Sequence, residues 1–145
     1  MNTNSNAVFT LADLTVNPGA TLNFTTGGGT LGQAAVGNSQ IIITNAPTLT
    51  NSLIGGWAVV NGTDFASYLD PNTAQGGVGA LGTAGYATYS GNTLTAGMAT
   101  ENITIGASVL GVTSRTINSL GIIGASTVTM NSPTDALTIG RGGLL

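Results

Sequence analysis

The sequence has no cysteine, no histidine and no lysine, and it carries almost no charge of either sign. Arg115 and Arg141 are its only cations; Asp13, Asp64, Asp70, Glu101 and Asp135 are its only anions. The charged fraction is 5%, against roughly 25% in ordinary soluble domains. Each absence removes a class of function. With only two arginines to neutralise phosphates, nucleic-acid binding by charge is not expected. An anionic membrane surface finds no attraction either. A serine or threonine nucleophile lacks a histidine or lysine base. Zinc lacks its usual sulfur and imidazole ligands. No apolar run approaches the ~20 residues of a transmembrane helix, so membrane insertion is not expected. The segment Met1-Asn2-Thr3-Asn4-Ser5-Asn6 lacks the basic and apolar regions of a signal peptide.

What remains is small, uncharged and apolar by turns. Gly, Thr, Asn and Ser make up about half of the 145 residues, 41% are hydrophobic, and mean hydropathy is positive. That hydrophobicity argues against disorder, which pairs low charge with few apolar residues only when the chain cannot bury a core. The apolar periodicity is two. Aliphatics alternate with hydroxyls or amides in Thr21–Thr25, Thr48–Thr50, Thr93–Thr95, Ile103–Ile105, Thr116–Asn118, Thr127–Met130 and Leu137–Ile139. Alternation places the aliphatics on one face of a strand and the polar residues on the other. Gln40–Thr44 is a continuous run that suits a strand buried on both faces. Between these segments lie Asn17-Pro18-Gly19, Gly27-Gly28-Gly29, Gly37-Asn38, Asn61-Gly62, Gly76-Gly77, Ser90-Gly91-Asn92 and Gly142-Gly143, residues that accept the backbone conformations of tight corners.

The reading is all-β, and the composition favours one architecture within that class: a right-handed parallel β-helix (β-solenoid) with irregular coils. Inward positions are single Leu, Ile or Val, outward ones Thr, Ser or Asn, and such uncharged ladders stack without repulsion. Around residues 57–90 the alternation breaks, which predicts a loop excursion. Trp57, Phe65, Tyr68, Tyr86 and Tyr89 concentrate there, as a patch that either anchors the loop or forms a ligand groove. Within it, Asp64–Tyr68 fits one helical turn capped by Thr63 or Asp64.

Three stretches carry a family likeness. They are Leu14–Phe24; Ile41–Ile43 with Ala46-Pro47-Thr48-Leu49-Thr50 through Gly55-Gly56-Trp57-Ala58 and Asn61-Gly62-Thr63-Asp64-Phe65-Ala66-Ser67-Tyr68; and Thr116–Leu120 through Ala136–Leu145. Together they resemble one module of the autotransporter-associated β-strand repeat proteins, large bacterial surface or secreted proteins with passengers like those of autotransporters and filamentous haemagglutinins. The resemblance implies a right-handed parallel β-helix, an extracellular or cell-surface location, no cofactor and no catalytic residues. It lacks a membrane-translocating barrel and a sorting signal, so residues 1–145 are expected to form a single module of a longer chain or filament.

Other chemistry finds less support. Asp64 and Asp70, the closest acids in sequence, have no third acid or cation near them. Asn61, Asp64, Asp70 and Asn72 do not follow a calcium-loop spacing. Gly27–Gly32 lacks the Gly-Lys-Ser/Thr ending of a phosphate loop. Thr-x-Thr triplets at Thr48, Thr93 and Thr127 recur at irregular intervals, unlike an ice-ordering array. Arg115 and Arg141 are expected to pair with Glu101 or Asp135. The expected function is a non-catalytic structural module of an extracellular fibre, stalk or adhesin, associating end to end with its own copies or with neighbouring modules. The alternative is a glycan- or ice-binding face using the aromatic patch near Trp57 or the Thr-x-Thr triplets, with a surface glycan as partner.

Overall fold

In the computed structural model, residues 6–91, 93–95 and 98–145 are described, so the segment before Asn6 and the Asn92 corner lie outside the described residues. Among the described residues eleven strands form: β1 (Ala7–Leu11), β2 (Leu22–Phe24), β3 (Ser39–Ile43), β4 (Ala58–Val60), β5 (Asp64–Leu69), β6 (Gly77–Ala80), β7 (Asn102–Ile105), β8 (Val109–Val112), β9 (Arg115–Ile122), β10 (Val128–Met130) and β11 (Leu137–Leu144). The chain divides into two units, Met1–Thr88 and Tyr89–Leu145.

The first unit holds two sheets. β1 pairs with β3 in parallel, from Ala7↔Ser39 to Leu11↔Ile43. The second sheet has the order β2-β4-β5-β6. Here β2 and β4 are parallel, whereas β4–β5 and β5–β6 are antiparallel. Phe24, Leu31, Ile43, Ile54, Ala58, Val60, Ala66, Tyr68 and Val78 make its buried cluster.

All pairs in the second unit are parallel. Its sheets are β11-β9-β7 and β10-β8. Leu94, Ile103, Ile105, Val112, Ile117 and Leu120 form the core, flanked by half-buried Val109, Val128, Met130, Leu137 and Ile139.

The all-β expectation holds, but the parallel β-helix does not. Four separate sheets of two to four strands form, and the largest mixes parallel and antiparallel pairs. The decisive local feature is Asn61-Gly62. Asn61 has φ 52° and Gly62 φ 68°, and the Thr63 amide donates to the Val60 carbonyl at 3.1 Å. Two consecutive positive φ angles make a type I′ turn, whose twist matches that of a hairpin. It reverses the chain, so Asp64–Leu69 returns alongside β4. Parallel strands would need a long crossover instead.

The predicted excursion at 57–90 is therefore a three-stranded meander over residues 58–80, and the predicted helical turn at Asp64–Tyr68 is strand β5. The turn dictates this. It sets Val59 opposite Phe65 and Val60 opposite Asp64, which extends the backbone before a helix can nucleate. Two expected strands are absent as well. Thr50 and Leu53 exchange main-chain hydrogen bonds around Asn51 and Ser52, both at positive φ. The Thr93 hydroxyl meets the Thr95 hydroxyl at 2.9 Å and accepts the Thr95 amide at 3.3 Å. In both places local bonds occupy groups that a ladder needs.

Candidate functional site

Phe65 is fully buried in β5, and Tyr68 is buried on the opposite face of that strand. The Tyr68 hydroxyl donates to the Ile43 carbonyl at 2.7 Å and accepts the Ile43 amide at 3.1 Å. It thereby fastens the mixed sheet to β3. Tyr86 is also buried, and its hydroxyl donates to the Gly77 carbonyl at 2.9 Å and lies 3.4 Å from that of Gly32. Its ring occupies space that only glycine leaves open: a Cβ on Gly32 would stand 2.2 Å from the Tyr86 hydroxyl, and one on Gly79 2.5 Å from the ring. Burial, and secondarily the Tyr68 phenol, pushes the Tyr86 hydroxyl far above its ordinary pKa. Trp57 is half-buried with its indole nitrogen tight against Gly55, and Tyr89 is half-buried in the second unit. The structure thus brings Phe65, Tyr68 and Tyr86 into the interior of one unit. Three of the five rings have no face to offer a sugar.

The acids do not converge. Asp64 opens β5 and Asp70 follows its end. An extended strand rises about 3.3 Å per residue, so the two stand about 20 Å apart. Asp64 instead accepts from the Thr63 hydroxyl at 3.0 Å. Asn72 accepts the Ala74 and Gln75 amides at 2.9 and 3.0 Å, closing its own turn. Among the described residues, no group of three or more His, Cys, Asp or Glu is placed to hold a metal ion.

Nor are the expected ion pairs the bonds that form at Glu101 and Asp135. Glu101 accepts the Met98 amide at 2.7 Å. Asp135 accepts the Ser114 hydroxyl and amide at 2.8 and 2.9 Å, and these bonds hold its carboxyl below the ordinary value. Arg115 donates to the Leu94 carbonyl, while its Nε is buried without a partner among the described residues.

Two features were missed by sequence reasoning. One is a buried polar triad in the second unit. Asn118 Nδ2 and the Ser119 hydroxyl both donate to Asn102 Oδ1, at 2.7 and 2.8 Å. Its signal was the pair Asn118-Ser119, which interrupts the alternation between Ile117 and Leu120. Gly142 lies over the triad, where a Cβ would meet Asn118 Nδ2 and Ser119 Cβ at 2.6 Å.

The other feature is a pair of strand edges with no partner strand among the described residues. β1 is the outer strand of its sheet and β11 the outer strand of the three-stranded sheet. Residues paired in parallel share a face, so Phe9 and Leu11 stand over Ile41 and Ile43, which pack into the first core. Yet Phe9 is 60% exposed. Likewise Ile139 stands over fully buried Ile117 and Leu137 over Arg115, and both aliphatics are only half-buried. Val128 and Met130 repeat this on β10. Among the described residues, no further strand layer stands above these inward-facing side chains. No described helix is long and apolar enough to cross a membrane. Comparison with protein-family models, with curated proteins and with solved structures found no match to the chain.

Proposed function

We propose that the chain is a structural module of a bacterial extracellular fibre, stalk or adhesin, working by association with its own copies or with neighbouring modules and not by catalysis. The observation that carries this reading is the half-covered aliphatic layer on the outer strands β1, β10 and β11. Water-exposed apolar area next to unpaired strand edges is a template for further strand addition. The extracellular bacterial placement rests on the resemblance to autotransporter-associated β-strand repeat proteins, and the parallel β-helix that this resemblance implies is not carried with it. The near absence of charge adds support: little like-charge repulsion opposes association of copies.

Sedimentation velocity over a wide concentration range tests the reading. The expected outcome is mass that grows with concentration, without ligand or metal. A constant monomer up to millimolar chain overturns it. Immunolabelling of intact source cells tests the placement. For the glycan alternative, the buried rings lower its standing, and Trp57 fluorescence is expected to stay unchanged when polysaccharides are added.

A further inference from the structure

We propose that the β11 edge of one copy pairs in parallel with the β1 edge of a second copy, in the register Leu137↔Phe9, Thr138↔Thr10 and Ile139↔Leu11. This rests on the end-to-end reading above and names its two surfaces. The first argument is the pattern of side chains. Inside the second unit, β9 and β11 already pair Thr116↔Thr138 and Ile117↔Ile139. Adding β1 in this register extends both columns, threonine beside threonine outside and Leu11 beside Ile139 inside. A slip of one residue would turn Phe9 and Leu11 to the polar face, so the apolar alternation excludes odd registers.

The second argument is charge. Past Ile139 the β9–β11 register shifts, and Arg141 projects from that irregular stretch, exposed. Past Leu11 the first anion of the chain, Asp13, is exposed, with one oxygen accepting the Asn45 side-chain amide at 2.7 Å. Arg141 follows Ile139 by two residues and Asp13 follows Leu11 by two, so this pairing brings the opposite charges to the same end of the joined strands. An exposed pair contributes little stability, but in a chain with two cations it discriminates strongly between registers and orientations. The two edges are different surfaces, so the contact is heterologous: each copy keeps one open β1 and one open β11, and the assembly grows as a filament or closes as a ring.

The experiment uses the absence of native cysteine. The Thr10→Cys/Thr138→Cys double variant, oxidised after assembly, is expected to yield a ladder of covalent oligomers. Thr10→Cys/Thr116→Cys, one strand further away at about 10 Å, is expected to yield none. Arg141→Asp alone and Asp13→Arg alone, which each replace an attraction by a repulsion, are expected to raise the concentration needed for assembly severalfold. An equimolar mixture of the two, or the double variant Asp13→Arg/Arg141→Asp, is expected to restore association. If the wild-type chain assembles but the Thr10→Cys/Thr138→Cys variant gives no cross-link between copies and the charge variants assemble as the wild type does, the proposed pairing is overturned while the end-to-end reading stands. A cross-link found only within single copies also overturns the pairing. A wild-type chain that never assembles removes the reading itself.

Discussion

The two units give different answers to one problem, how a chain with almost no charge keeps its interior polar groups satisfied. The unit Met1–Thr88 contains six of the seven aromatic residues and bonds buried main-chain groups to phenol hydroxyls, Tyr68 to Ile43 and Tyr86 to Gly77. The unit Tyr89–Leu145 has Tyr89 as its only aromatic and places side-chain amides and a hydroxyl against each other in Asn102, Asn118 and Ser119. The difference follows strand direction. Antiparallel β5 is buried on both faces, and a large ring fills the space between it and the neighbouring sheet. Parallel β7, β9 and β11 bring like positions side by side, so Asn102 lies opposite Ser119 and small polar side chains meet at hydrogen-bond distance.

The strongest way to break this comparison is to empty each core. Phe65→Ala is expected to cost about 3–5 kcal/mol and Ile117→Ala about 2–5 kcal/mol. Peptide-resolved hydrogen exchange is expected to show each loss mainly in the unit that carries the change. Equal loss of protection in both units would join them into one cooperative body.

Next come the glycines that admit each unit's polar filler. Gly79→Ala drives a methyl group into the Tyr86 ring, and Gly142→Ala drives one into Asn118 and Ser119. Each is expected to cost about 1–3 kcal/mol, read as a lowered denaturation midpoint. Gly106→Ala, whose Cβ would meet nothing within 4 Å, is the matched control and is expected to be close to neutral.

Smaller effects separate the two kinds of polar group. Tyr68→Phe strands the Ile43 amide and carbonyl, and Asn102→Ala strands Asn118 Nδ2 and the Ser119 hydroxyl, each for about 1–3 kcal/mol. A denaturation midpoint unchanged by either variant would remove that group from the ones that hold its unit.

The mildest contrast is in pH. The raised Tyr86 value means that its contribution is complete below the ordinary phenol value near 10.0 and is lost as pH climbs above it, because the unfolded chain ionises first. The lowered Asp135 value works at the other end. Its contribution is present above the ordinary 3.8 and is lost as pH falls through the lower folded value. Tyr86→Phe is expected to flatten the alkaline limb of the stability curve. Asp135→Asn is expected to flatten the acid limb slightly, since the group is exposed.

The alternation rule read the second unit well. Ile103–Ile105, Thr116–Asn118, Val128–Met130 and Leu137–Ile139 lie in strands, and Ile105 and Ile117, read as inward, are fully buried, whereas Thr93–Thr95 in the same unit is not a strand. It failed in the first unit at β5 and at the parallel β-helix, because Asp64–Leu69 is buried on both faces and shows no alternation to read. The polar triad stayed hidden for a related reason: consecutive Asn118 and Ser119 resemble a corner until Asn102 is brought opposite them. The edges were half legible. The sequence led to an expected end-to-end association, but which aliphatics lay uncovered depended on which strands ended up outermost.

By itself the sequence determined the chemistry that is missing and the extended backbone that is present. Three absent residue types and seven charges settle the first, and β-branched alternation with glycine corners settles the second. Only the tertiary structure decided strand direction, the burial of the rings and the two open edges. A period of two is the same in parallel and antiparallel strands, so direction is set by what joins them. Here that was the positive φ of Asn61 and Gly62 on one side and long returns between parallel strands on the other.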